Sequence, residues 1–309
     1  MICSLWGSSE HVQESDEAGL ARLLERLGLE VEQLEHGSPP PGKAGIVVVN
    51  SKTRVGRFEL EAMPELRLLV TTTSGHDHVD LPGAAARGVL VARCPLARRD
   101  AVVETAVAMG ISLLRRLPAL LREAEQGRWV RASLKTVPVP LLRDVVVGVV
   151  GKGVIGARAV QVFETLGAKV IAADPADRAL PPITELFEQA DLLTLHCSLT
   201  ATSRRLITAD TLRLLKPGAV LVNTARGECV DLRALLEDRR LGGYGIDVFG
   251  TEPPAELAQL AGRENILITP HSAGYHQHLG KEIAREVEQA ICAFLEGRSP
   301  EHLVSPPSA

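Results

Sequence analysis

The stretch Val145-Val146-Val147-Gly148-Val149-Val150-Gly151-Lys152-Gly153-Val154-Ile155-Gly156 decides how this chain is read. An apolar, β-branched run ends in G-x-G-x-x-G and opens onto a helical pattern. A second apolar run, Lys169 to Ala173, ends at Asp174. A strand, a tight glycine turn, a helix start and an acid at the tip of the next strand make a dinucleotide-binding unit. Gly151 allows the turn, Gly153 lets the backbone approach a pyrophosphate, and Gly156 lets the helix pack on the strand. The free N–H groups of the helix start, at Val154 and Ile155, and its positive end suit phosphates. A carboxylate at Asp174 accepts from both ribose hydroxyls and repels a 2′-phosphate. Pro175, Ala176 and Asp177 follow with no adjacent arginine, so NAD is expected in preference to NADP.

The 309 residues suffice for two domains, and an apolar content of 45% supplies a sizeable core. Net charge is −4 with acids and bases interspersed, and no long basic block marks a nucleic-acid partner. Met1-Ile2-Cys3-Ser4-Leu5-Trp6 lacks a charged lead and a long apolar core, so no signal peptide is expected. The apolar runs fall short of the roughly 20 residues a bilayer span needs, so no membrane association is expected. Five cysteines without a C-x-x-C pattern fit free thiols in a reducing cytoplasm.

Strand-like and helix-like stretches alternate throughout. Helical periodicity covers 15–28, 100–117, 154–166, 209–215, 231–240 and 277–296. Apolar runs cover 45–49, 66–72, 88–92, 145–150, 168–173, 191–195, 219–223, 243–247 and 266–268. The expectation is an α/β fold of two Rossmann-like, doubly wound parallel-sheet domains. Because the glycine turn comes late, the nucleotide domain, 100–275, is expected as an insertion. The substrate domain would then be discontinuous, from 1–99 and 276–309, with ligands in a cleft at strand carboxyl ends.

Three polar segments follow later apolar runs. They are Asn223-Thr224-Ala225-Arg226-Gly227, Asp247-Val248-Phe249-Gly250-Thr251-Glu252-Pro253 and Thr269-Pro270-His271-Ser272-Ala273-Gly274. In a doubly wound sheet these meet at the edge that carries the cofactor. A guanidinium holds a carboxylate by paired hydrogen bonds and polarises an adjacent carbonyl. An imidazole exchanges a proton with an alcohol or carbonyl oxygen. A glutamate holds the second ring nitrogen and favours the imidazolium.

With Thr73-Ser74-Gly75-His76-Asp77-His78-Val79-Asp80-Leu81 and Leu195-His196-Cys197-Ser198-Leu199-Thr200, these segments resemble the D-isomer-specific 2-hydroxyacid dehydrogenase family over about Ile46 to Glu296. The resemblance implies Arg226, Glu252 and His271 as the catalytic trio. It implies Asp247 near the nicotinamide amide, and His196, Cys197, Thr224, Ala225, His271 and Ala273 beside the cofactor. It implies backbone N–H groups of Ser74 and Gly75 as a carboxylate cradle, with Asn50 and Ser51 at a variable substrate loop and Arg226 and His271 on the same substrate. It also implies a homodimer, often formed through the helix at Asp100–Arg116, and a small anionic 2-oxo or 2-hydroxy acid as partner.

Three departures from the family pattern bear on the substrate. Arg93-Cys94-Pro95-Leu96-Ala97-Arg98-Arg99-Asp100 replaces an Asn-led, glycine-containing loop, Ser198 replaces a proline, and Asn50-Ser51-Lys52 is variable. Arg98 or Arg99 is therefore a candidate for a second anionic group. Glu252 argues against formate, whose usual site has glutamine. The chain ends at Ala309, too soon for the extra C-terminal domain of many phosphoglycerate-type members. His76/His78 and His276/His278 have i, i+2 spacing with nothing to complete a ligand set, and no metal is expected. His276 is expected at the surface near the catalytic loop. The expected reaction is NAD(H)-linked interconversion of a 2-oxo acid and a D-2-hydroxy acid. The alternatives are an NAD(H)-sensing corepressor or scaffold of the same fold, or a member acting on phosphoglycerate or phosphite.

Overall fold

The structure is a computed structural model that describes residues 1–7, 14–132, 139–174, 179–260 and 262–304; Pro175, Ala176 and Asp177 lie outside the described residues. The chain forms two compact units, Met1–Arg98 with His276–Ala309, and Arg99–Tyr275. Each is a parallel α/β sheet.

Unit 1 runs β1 (Ile2–Trp6), α1 (Glu14–Arg26), β2 (Glu30–Leu34), β3 (Ile46–Val49), α2 (Arg57–Ala62), β4 (Leu68–Thr71), α3 (Leu81–Ala86) and β5 (Leu90–Arg93). Its strand order is β2-β1-β3-β4-β5. Every residue of β3 and β4 is buried, which is why both read as unbroken apolar runs. β1 and β2 were not expected from the apolar pattern. β2 lies at the sheet edge with Glu30, Glu32 and Gln33 exposed, so no apolar run marks it.

α4 (Leu96–Leu114) starts earlier than its periodicity suggested. Leu96 to Arg99, expected as loop, form its first turn. The Glu286 carboxylate accepts from the N–H groups of Leu96 at 3.0 Å and Ala97 at 2.5 Å, which supplies the missing cap.

Unit 2 continues with α5 (Leu117–Glu125), β6 (Val146–Val150), α6 (Val154–Thr165), β7 (Lys169–Ala173), α7 (Ile183–Gln189) and β8 (Leu192–Leu195). Then come α8 (Ala209–Leu212), β9 (Val220–Asn223), α9 (Leu232–Glu237), β10 (Gly243–Ile246), α10 (Leu257–Leu260) and β11 (Ile266–Ile268). The strand order is β11-β10-β9-β8-β6-β7, so the winding reverses at β6. Strand alternation splits the core in two. Val147, Val149, Leu192, Val220 and Val222 face one side with Phe163 and Met109. Val150, Leu193, Leu195 and Leu221 face the other with Leu186 and Phe187. α9 stops at Glu237, short of the expected 240, where the Asp238 Oδ1 accepts from the N–H groups of Arg240 and Leu241. The helical stretch at 209–215 shortens to α8.

The chain returns to unit 1 as α11 (Leu279–Leu295), whose Leu279, Ile283, Val287 and Ile291 join Leu24, Ile46, Leu68 and Val70 in one core. Among the described residues no helix is long and apolar enough to cross a membrane. No group of three metal-ligating side chains occurs among them.

Phe163, on α6, is fully buried against the β6 face of unit 2. Phe163→Ala is expected to cost about 3–5 kcal/mol of stability, read as a lower denaturant midpoint. A loss under about 1 kcal/mol would show this packing to be wrong.

Candidate active site

The glycine turn is built by close backbone contact. A Cβ on Gly156 would stand 1.7 Å from Gly151 O, and one on Gly151 would stand 2.7 Å from the backbone of Cys197. Gly151 also has φ +89°, open to glycine at little cost. A Cβ on Gly153 would meet nothing within 4 Å, so the space beside it is open. Gly153 caps α6 without a side-chain hydrogen bond, which leaves the first N–H groups of the helix, from Val154 onward, for a ligand. Asp174, just past β7, accepts from the Lys152 N–H at 2.7 Å and so sits against the turn. An open cradle, a free helix N-terminus and an adjacent carboxylate fit a dinucleotide.

Register sets the rest of the edge. Val150 pairs with Leu195, Leu195 with Asn223, Asn223 with Ile246, and Ile246 with Ile268. The residues following these strands therefore lie along one line. Asn223 clamps the next turn: its Nδ2 donates to Arg226 O at 2.9 Å and its Oδ1 accepts from the Ala225 N–H at 3.0 Å. Arg226 Nη1 donates to Ala225 O at 2.8 Å. A Cβ on Gly227 would lie 2.0 Å from the Phe249 carbonyl carbon, so the Arg226 turn touches the loop that carries Glu252. In that loop the Phe249 N–H donates to Glu252 Oε1 at 2.9 Å, and Glu252 Oε2 lies 2.8 Å from His271 Nδ1. An ionised carboxylate only accepts, so Nδ1 carries a hydrogen and Nε2 is left to exchange a proton.

His271 itself is held in the left-handed region, at φ +53°. Its N–H donates to Asp247 O at 2.8 Å. Asp247 is almost fully buried, and its Oδ1 accepts from Thr269 Oγ1 at 2.6 Å, Ser272 N–H at 2.8 Å and Ala273 N–H at 3.1 Å. Its visible work is to shape the His271 loop. Thr269 and Asn223 were missed as functional candidates; a polar residue at the end of a buried strand was their signal.

His196 and Cys197 follow β8. His196 Nε2 lies 3.0 Å from Thr194 Oγ1, and burial pushes its pKa down to about 4, so the ring is neutral. The Cys229 thiol and burial raise the pKa of Cys197, which packs as a neutral thiol. The buried Thr224 Oγ1 has no hydrogen-bond partner among the described residues.

In unit 1, Asn50 and Ser74 follow the paired strands β3 and β4. Asn50 spends its amide on its own turn, donating to Gly7 O at 2.5 Å and accepting from the N–H groups of Lys52 and Thr53. Ser51 is exposed. Arg98 Nη1 donates to Thr72 O at 2.6 Å. In unit 2, Arg99 pairs with Asp100 at 2.6 Å, and Arg158 meets the same carboxylate at 2.8 Å. The charge of Arg99 is thus answered within the protein, which argues against the second-anion role. His276 is half-buried, with Nε2 2.7 Å from Ala97 O, and not a free surface ring.

Residues 107–273 match the D-isomer specific 2-hydroxyacid dehydrogenase, NAD binding domain, family. The chain belongs to the D-isomer specific 2-hydroxyacid dehydrogenase family. As a member it is an oxidoreductase with an NAD-binding domain. It is 30% identical over 271 residues to a glycerate dehydrogenase of Methylorubrum extorquens, covering 84% of this chain and 85% of that protein. It is 31% identical over 263 residues to a D-3-phosphoglycerate dehydrogenase of Synechocystis, covering 81% of this chain but 47% of that one; it thus spans about half the length of that relative. The solved D-lactate dehydrogenase of Aquifex aeolicus, in complex with NAD and lactic acid, matches with a TM-score of 0.84 at 26% identity, over 99% of this chain and 100% of that one.

The glycine geometry separates folding from binding. Gly156→Ala forces a backbone shift and is expected to lower both the melting temperature and NADH affinity, each measurable by thermal melt and fluorescence titration. Gly153→Ala meets no protein atom, so it should weaken NADH binding by about tenfold with the melting temperature kept. Equal loss of stability in both variants would contradict this division.

Proposed function

We propose that this family member interconverts a small 2-oxo acid and the matching D-2-hydroxy acid with NAD(H). The observation that carries the reading is the 2.8 Å contact of Glu252 with His271 Nδ1, joined through the Phe249 loop to the Arg226 turn, on the sheet edge that holds the glycine turn. Gly151, Gly153, Val154, Ile155 and Gly156 would hold the cofactor phosphates, with Asp174 on the ribose. His196, Cys197, Thr224, Ala225, Asp247, His271 and Ala273 lie on the strand ends that follow. Bound NAD(H) supplies the hydride acceptor or donor.

Arg226 binds the substrate carboxylate and polarises the neighbouring carbonyl. In the reductive direction His271 Nε2 gives a proton to the carbonyl oxygen; in the oxidative direction it takes the hydroxyl proton back. Glu252 fixes the ring and its tautomer through Nδ1. In unit 1 the N–H groups of Ser74 and Gly75 are the candidate donors for a substrate carboxylate. Preference for NAD over NADP rests on Asp174, whose carboxylate would repel a 2′-phosphate. The family likeness also supports a cytoplasmic homodimer paired through α4, which light scattering of the purified protein tests.

A panel of 2-oxo acids with NADH tests the reaction. Saturable NADH oxidation is expected; tight NADH binding without turnover, with a copurifying protein, would favour a sensor. In the active enzyme His271→Gln should lower kcat by about 10²–10⁴-fold with NADH affinity kept. Near-normal turnover would remove His271 from proton transfer. Asp174→Ala should improve NADPH use relative to NADH, and an unchanged ratio would sink the ribose assignment.

A further inference from the structure

The carbonyls of the loop after β4 are taken up by donors of the segment 93–98. The Cys94 N–H donates to Thr71 O at 3.1 Å and Thr73 O at 3.3 Å. Arg98 Nη1 donates to Thr72 O at 2.6 Å, and Arg93 Nη1 to Ser74 O at 3.1 Å. Thr73 Oγ1 donates to Gly75 O at 2.8 Å. The N–H groups of Thr73, Ser74 and Gly75, all in half-buried residues, find no acceptor among the described residues.

These two facts are linked. In a trans peptide the C=O and the following N–H point in opposite directions. Holding the carbonyls of Thr72, Thr73 and Ser74 therefore turns the N–H groups of Thr73, Ser74 and Gly75 away from that scaffold. Successive N–H groups with no internal acceptor make a concavity for an anion. Arg93 adds charge. It ends β5, forms no ion pair among the described residues, and its Nε is buried without a partner. Burial alone lowers its pKa, as expected of a guanidinium with no carboxylate to offset desolvation. The charge of Arg98, in contrast, lies near the Glu286 carboxylate.

We propose that Arg93 and Arg98 are positioning residues for the substrate carboxylate. They hold the Thr72–Gly75 loop so that three N–H groups face the anion, and Arg93 adds attraction from behind. This rests on the 2-oxo acid reading given above. Both arginines belong to the segment 93–100 that carries the start of α4. A guanidinium suits the task because its rigid fork grips a carbonyl while it stays charged.

Arg93→Met and Arg98→Met, with Arg93→Lys and Arg98→Lys beside them, are compared with wild type. The substrate is whichever of glyoxylate, pyruvate and hydroxypyruvate is reduced fastest with NADH. In the Met variants KM and the inhibition constant of oxamate should rise about tenfold together, with kcat within about threefold and NADH affinity kept. The Lys variants, which keep the charge and one donor, should recover part of the loss. Unchanged KM and oxamate inhibition would overturn the assignment, as would a fall in kcat alone or parallel losses of NADH binding and melting temperature. Should the Met variants not fold, wild-type KM in both Lys variants overturns it, and a raised KM with normal melting supports it. Wild type that reduces none of the three acids and does not bind oxamate overturns the reaction reading and this assignment together. Normal wild-type turnover with indifferent arginine variants overturns this assignment alone.

Discussion

A parallel sheet ends all of its strands at one edge, and the chemistry of unit 2 depends on that constraint. Its central strands are packed on both faces, so their side chains are mostly apolar. The first positions free to be polar are those just past the carboxyl ends. Because Val150, Leu195, Asn223, Ile246 and Ile268 are linked by register, the residues after them arrive side by side although the sequence scatters them. The glycine turn, the Arg226 turn, the Glu252 loop and the His271 loop are successive outlets along one edge.

Arrival at the edge does not by itself hold a side chain in place. The loops are tied to one another by backbone contacts and by one buried acid. Gly227 lets the Arg226 turn touch Phe249, and the Phe249 N–H holds the Glu252 carboxylate. Asp247 gathers Thr269, Ser272 and Ala273 on one oxygen. A left-handed backbone costs a non-glycine residue on the order of 1–2 kcal/mol, and His271 adopts it at φ +53°. Charge-assisted hydrogen bonds to Asp247 are of the size needed to offset that cost. The histidine ring is thus oriented twice, by its own strained backbone and by Glu252.

What could be read from the sequence follows from the range of the forces involved. β3, β4, β6, β8 and β9 were readable because burial on both faces writes an unbroken apolar run. The Arg226, Glu252 and His271 segments were readable because each follows such a run. β2 was not, since an edge strand exposes Glu30, Glu32 and Gln33. The start of α4 was not, because its cap, Glu286, lies 190 residues further along the chain. Arg98 and Arg99 look alike in sequence because the partner of the first, the Thr72 carbonyl, comes from another strand end, whereas the second turns to its neighbour Asp100.

The two units leave backbone N–H groups without internal acceptors in different ways. In unit 2 the glycine turn relies on the orphan N–H groups of a helix start, which exist in any α-helix and need only be left uncapped. The floor beneath them is kept uncharged: burial holds His196 neutral, and the Cys197 thiol is raised by Cys229 and burial. The carboxylate against the turn is Asp174, which accepts from the Lys152 N–H. In unit 1 the loop after β4 has no helix to align its peptides, so side chains must do it. Arg93, Arg98 and Thr73 act on carbonyls to turn N–H groups the other way. That arrangement places two long cationic side chains, Arg93 and Arg98, where a helix start needs none.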